Sequence, residues 1–250
     1  MDWFFLSPHY DDVVFSCGGL VWEQAQAGGR VVVVTICGGA PDQGELSDFA
    51  QEIHQSWEAG ENPVAVRRKE DEQACRMLNA EPLPLSLPDA VYRKSSRKGR
   101  FFYEDEESLF GGLDPREEGL INSLAEQLEG LLSTPAVVVA PLGIGNHVDH
   151  ELTRKAASRL DREIFYYADF PYLREEEGRQ IREHLQRSGE WKAKSYTLSA
   201  AGIQRWQQAG LAYQSQIDTF WENEKIYREE IKQIVEPGDQ LDLWCPFSES

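Results

Sequence analysis

The sequence predicts an α/β protein of three layers, a Rossmann-like, mostly parallel sheet with helices on both faces. Short apolar runs alternate with amphipathic stretches of helical period. Runs such as Val31 to Ile36 are apolar at nearly every position, as strands covered on both faces must be. The segments between them are long enough for crossover helices, which parallel neighbours need.

DWFFLSP (2–8) reads as the first strand. A helix over 12–27 follows, ended by Gly28 and Gly29, and then a second strand, RVVVVTIC (30–37). GGAPDQG (38–44) opens a loop to 48, and it lacks the spacing and lysine of a P-loop, so it is at best a weak phosphate cradle. VAVRRKEDEQACRMLNA (64–80) reads as a helix with Asn79 as a left-handed cap. PLPLSLP (82–88) suits an edge strand, because its prolines cannot pair on both sides. Residues 89–115 read as a long loop, basic at 93–100 and acidic at 104–107. A helix over 114–132, a strand over 136–143, a helix over 149–160 and a strand-like run over 163–172 resume the alternation. A charged helix (174–188), a strand (193–199) and a helical stretch (200–233) broken by Gly210 complete the reading. With no repeat and no linker, residues 1–250 are expected to form one domain, with its motifs in 1–172 and additions in 173–250.

The chain has 250 residues, 41% of them hydrophobic, and a formal net charge of -18. That charge opposes sequence-independent binding to nucleic acid or anionic membranes, both of which need a basic face. No apolar run approaches the roughly 20 residues of a membrane span, and no leader-like segment opens the chain, so a cytoplasmic protein is expected. The four cysteines are scattered without C-x-x-C spacing and read as buried free thiols. Trp206, Tyr213, Phe220 and Trp221 suit core or a subunit interface, which leaves a homo-oligomer open.

Two clusters carry the chemistry, SPHYDD (7–12) and HVDH (147–150), each just beyond an apolar strand. In an open parallel sheet, ligands bind beyond the carboxyl ends of the strands. Three of the five histidines, His9, His147 and His150, fall in these clusters. Adjacent Asp11 and Asp12 in a half-buried place call for a cation, and two imidazoles with a carboxylate make a three-ligand set of the kind catalytic zinc uses. Taken singly, His9 could be a loop histidine and the aspartates ordinary helix-start chemistry.

SPHYDD resembles the Pro-His-Pro-Asp-Asp motif, and HVDH the His-x-Asp-His motif, of the LmbE-like (PIG-L) zinc-dependent N-deacetylases. RRKE, with Arg67 and Glu70, resembles that family's Arg-x-x-Glu helix, and LPD places Asp89 where the family has an acidic residue. The resemblance implies His9, Asp12 and His150 as ligands of Zn2+ or another divalent ion, Asp11 as general base, and His147 facing the substrate carbonyl as an imidazolium. It also implies a small N-acetylated amino sugar or glycoconjugate as substrate. Tyr10 and Val148 stand where the family commonly has proline, which touches loop rigidity rather than metal binding. Arg67 could be a substrate contact or part of a solvated basic face, and Asp89 a substrate contact or plain turn chemistry. Two other functions stay open. His9-x-Asp11 with His150 also writes the two-His-one-carboxylate triad of Fe(II) oxygenases, and a Rossmann-like sheet could serve a non-catalytic sugar or nucleotide binder. The absent G-x-G-x-x-G counts against dinucleotides.

Overall fold

A computed structural model describes residues 1–41, 46–57, 60, 62–95, 99–235 and 238–247. One seven-stranded sheet organises the chain, in the order β3-β2-β1-β4-β5-β7-β6. Its strands are β1 (Asp2–Ser7), β2 (Val31–Thr35), β3 (Glu81–Pro84), β4 (Ala136–Pro141), β5 (Ile164–Tyr167), β6 (Trp191–Thr197) and β7 (Gln240–Pro246). The first five run parallel, and β7 lies antiparallel between β5 and β6. β3 does lie on an edge, as its prolines require.

Alternation along the strands divides the core. Trp3, Phe5, Val31 and Val33 face one side, and Phe4, Leu6, Val32 and Val34 the other. The first side packs on α1 (Asp12–Gln26), α3 (Pro63–Met77), α8 (Ala200–Gly210), α9 (Gln214–Phe220) and α10 (Glu224–Ile234). The second packs on α5 (Glu118–Leu131), α6 (Val148–Ala157) and α7 (Glu176–Arg187). Two short helices, α2 (Asp48–Ser56) and α4 (Glu106–Leu109), stand at the carboxyl ends of the strands.

Several sequence readings are corrected. The stretch over 200–233 is three helices, because the chain turns at Leu211–Tyr213 and again at Trp221–Asn223. The long loop over 89–115 contains α4 and a 3-10 turn at Ala90–Tyr92. α2 was missed, although Ser47 accepts from the Ala50 N–H at 3.0 Å as an ordinary N-cap and Phe49 and Ile53 share one face. β7 was missed as well, although Leu241, Leu243 and Cys245 alternate toward one layer. Asn79 is left-handed with φ of 55°, as expected for the end of α3. All four cysteines are free and buried.

The described start of the segment after β2 packs closely on the chain beyond β3. A Cβ on Gly39 would lie 2.1 Å from the Ser86 carbonyl oxygen, so glycine is needed there for close packing against 86–88. The remainder of that motif, 42–44, lies outside the described residues.

The C-terminal helices are built onto the first motif. Gly18 and Gly19 let Trp206 of α8 lie against α1, where a Cβ on Gly18 would come within 2.7 Å of the indole. The Trp206 indole N–H donates to the Val14 carbonyl. Tyr213 donates its hydroxyl hydrogen toward the Tyr10 carbonyl (2.9 Å) and Asp71 (2.8 Å). Tyr10 itself is buried, and its hydroxyl donates to the Gly38 carbonyl at 2.8 Å. Hydrogen bonds thus fix the turn that a proline would otherwise stiffen.

Candidate active site

β1 and β4 are neighbours, paired from Asp2–Ala136 to Phe5–Val139. That adjacency brings the two motifs together across 140 positions: His9 Nε2 lies 3.1 Å from Asp149 Oδ2. His9, Asp11, Asp12 and His147 line a cleft of about 230 Å³ with Arg67 and Asp89. His150 lies beneath them, 1% exposed. All seven residues singled out from the sequence therefore meet in one place.

Asp12 begins α1 and sits between the two imidazoles. Its Oδ2 is 3.3 Å from His9 Nδ1 and its Oδ1 is 3.3 Å from His150 Nε2. His150 Nε2 is buried with no hydrogen-bond partner, while Nδ1 is 2.7 Å from Asp169. Asp169 also accepts the N–H groups of Gly143 and Ile144, which fixes it against the turn after β4. The sequence reading missed Asp169. Its signal was an acid just past the apolar run 164–168, at another parallel strand end.

His147 caps α6, its Nδ1 accepting the Asp149 N–H at 3.1 Å. The cap of α6 is His147, and Asp149 faces His9 instead, its Oδ2 3.1 Å from Nε2. Asp89 does make turn chemistry, its Oδ1 accepting the Val91 N–H at 3.2 Å, and its Oδ2 lies 3.5 Å from His9 Nε2. Arg67 is buried rather than on a solvated face. It donates to Asp11 Oδ1 at 2.9 Å, and its guanidinium stacks on Trp57 at 4.5 Å. Glu70 lies apart from the catalytic groups and accepts from the Ser215 N–H and hydroxyl. Asp11 is tied to Arg67, whereas Asp12 reaches both imidazoles, which favours Asp12 over Asp11 as the carboxylate beside the histidines.

The electrostatics ask for a cation. The buried carboxylates Asp11, Asp12, Asp89, Glu117, Asp149 and Asp169 accompany two buried guanidiniums, Arg67 and Arg93. Burial works against a charged His150, yet Asp12 and Asp169 raise its imidazole to about 10. Burial also opposes charge on His9, but Asp89, Asp12 and Asp149 hold that ring well above its ordinary value. Asp12 is held well below the carboxylate range, the two imidazoles outweighing its burial. A divalent ion would meet the same demand for positive charge and leave the rings neutral, as ligands must be. Two ligand atoms about 2.1 Å from one tetrahedral ion lie about 3.4 Å apart. Asp12 presents one oxygen to each ring at about that spacing, Oδ2 to His9 and Oδ1 to His150, a donor set whose chemistry suits a metal. Other groupings exist among the described residues: candidate ligand atoms of His9, His147 and His150 lie within 4.8 Å of one another, as do those of His9, Asp89 and Asp149.

Burial and the neighbouring His9 and His150 rings push His147 well below its usual value, which favours the neutral ring over the imidazolium. With Nδ1 accepting the Asp149 N–H, its proton resides on Nε2. Burial raises Asp11, the other member of the pair, while the Arg67 guanidinium opposes that rise.

Aromatic walls complete the cleft: Trp57 after α2, Phe110 after α4, Tyr172 after β5, and Phe15 and Phe220 from α1 and α9. The C-terminal third, which carried no specific signal in the sequence, thus supplies part of the wall.

The PIG-L family model, described as GlcNAc-PI de-N-acetylase, matches residues 4–160. A 2'-N-acetylparomamine deacetylase of Niallia circulans is 35% identical over 185 residues, 67% of this chain and 66% of that protein. Its counterpart from Streptomyces fradiae is 32% identical over 183 residues, 67% of this chain and 56% of that protein. The crystal structure of the zinc inhibited form of teicoplanin deacetylase Orf2 superposes with a TM-score of 0.78 at 26% identity, over 100% of this chain and 99% of that one. Among the described residues, no helix is long and apolar enough to cross a membrane.

Proposed function

The chain belongs to the PIG-L family, and from that premise we propose that it is a zinc-dependent N-deacetylase acting on an amino sugar within a glycoconjugate. The observation that carries the reading is Asp12 set between His9 and His150, with Asp11 beside it, at the floor of an aromatic-walled cleft. His9, Asp12 and His150 would hold the ion, which supplies a water acidified from about 15.7 to about 7 and a Lewis acid for the amide carbonyl.

The remaining roles fall to the chain itself. Asp11 is the general base, a buried carboxylate that Arg67 keeps in one orientation. His147 donates from neutral Nε2 to the developing oxyanion, its ring fixed by the bond at Nδ1. Asp11, once protonated, returns its proton to the leaving amine. Trp57, Phe110 and Tyr172 present flat apolar faces on which a sugar ring can stack, and Arg67 and Asp89 offer polar contacts at the same rim. The relatives are named as deacetylases of 2'-N-acetylparomamine and of teicoplanin, which favours a conjugate here too.

Incubating the purified chain with N-acetylated amino sugars and their glycosides tests this reading, with acetate release before and after zinc chelation as the measurement. No acetate from any of them, with metal bound, would leave the chain a binder rather than an enzyme. His147→Ala is expected to lower turnover by roughly 10²- to 10³-fold, as loss of an oxyanion donor does, with metal content unchanged. With His147 held below its usual value, its titration is expected to contribute no alkaline limb to kcat/KM. A limb present in wild type and absent from the variant would restore the imidazolium.

A further inference from the structure

We propose that Arg93 is a positioning residue for the His9 imidazole, acting through Asp149 to fix which ring nitrogen faces the metal. The inference rests on the metal-dependent reading above. In the sequence Arg93 opens a basic run, and it reads as one more solvated cation. In the structure it is 5% exposed. Its Nε and Nη2 donate to the two oxygens of Glu117 at 2.7 and 3.0 Å, and its Nη1 donates to Asp149 Oδ1. The second oxygen of Asp149 accepts the Ala90 N–H at 2.9 Å and lies 3.1 Å from His9 Nε2. Glu117 also accepts the Tyr103 hydroxyl at 2.7 Å.

These contacts form one relay from Tyr103 and Glu117 through Arg93 and Asp149 to His9. Asp149 accepts from His9 Nε2, so the proton stays there and Nδ1 keeps its lone pair toward Asp12, 3.3 Å away. The relay needs a guanidinium. Only a planar fork spans two carboxylates on separate elements, Glu117 before α5 and Asp149 in α6, while neutralising both. Without it, two buried carboxylates would lose their shared counter-charge, and Asp149 would lose the bond that holds its other oxygen toward His9. The same node fixes the cleft wall: the Asp114 N–H donates to the Tyr103 hydroxyl at 3.0 Å, and Phe110 lies on the chain between them.

The test measures metal affinity rather than turnover. Zn2+ binding to the purified full chain is followed by competition with a chromophoric chelator, and Co2+ binding by its visible spectrum. Arg93→Gln and Asp149→Asn are each expected to weaken Zn2+ by about 10- to 100-fold. The double variant should be no weaker than the weaker single one, because both cut the same relay. Arg93→Lys, which keeps the charge without the fork, should show the Arg93→Gln loss and a shifted Co2+ spectrum, and it serves if Arg93→Gln does not fold. Wild-type affinity in either Arg93 variant, or losses that multiply in the double variant, would overturn the relay alone. A wild-type chain that binds neither ion would overturn the metal reading beneath it.

Discussion

Replacing Asp11 by asparagine is expected to lower turnover by about 10²- to 10⁴-fold, the usual contribution of a positioned base, while metal content and fold persist. Asparagine is nearly isosteric, and its carbonyl oxygen can still accept the 2.9 Å bond from Arg67. It cannot take a proton at neutral pH. In wild type the acid limb of kcat/KM should lie above the ordinary carboxylate range, because burial raises Asp11 more than Arg67 lowers it. The base works only when ionised, so activity falls as pH drops through that value. Asp11→Asn should lose this limb along with its turnover. If Asp11→Asn instead lost its metal and Asp12→Asn retained it, the two carboxylates would have exchanged roles.

The second large effect is expected at His150. Its Nε2 is the buried atom left without a hydrogen bond beside Asp12, and His150→Ala removes it outright. Metal content measured on the purified variant should fall to near background, and turnover by on the order of 10³-fold or more, since a bound ion supplies several kcal/mol of charge stabilisation. The fold should survive, because the ring sits at the sheet's carboxyl edge and the apolar layers on both faces do not depend on it. Chelation of the wild type should reproduce the loss, with recovery on adding Zn2+. Asp169→Asn should lie between the two states, since the amide still reaches Nδ1 but no longer favours a proton there. Undiminished metal in His150→Ala would count against His9, Asp12 and His150 as the ligand set. It would point to one of the other two groupings.

Most of the parallel sheet was legible in the sequence because its signal is local. Strands buried on both faces must be apolar at nearly every position, and Val31 to Ile36 and Val137 to Ala140 are. Five of the seven candidate site residues, His9, Asp11, Asp12, His147 and His150, were legible for a similar reason: histidine and aspartate crowd at two strand ends, where nothing in core packing would put them, whereas Arg67 and Asp89 rested on the family resemblance alone. Elements with short or divided signals were lost. α2 has nine residues and a mostly polar surface, and β7 reads as a strand only once β5 and β6 leave a gap for it.

Tertiary structure alone decided what each polar group does. His147 is pushed toward its neutral form because burial and two neighbouring rings act on it, one of them, His9, from the far end of the motif-bearing chain. Arg93, drawn from a basic run, is buried because Glu117 and Asp149 converge on it from two other elements. The adjacency of β1 and β4 brought the two motifs within hydrogen-bonding distance, and α8 and α9 fastened the first of them through Trp206 and Tyr213. Residue type and spacing determine which chemistry a chain has available. Protonation, orientation and exclusion of water depend on neighbours a few ångströms away in space, and those neighbours lie up to two hundred positions away in sequence.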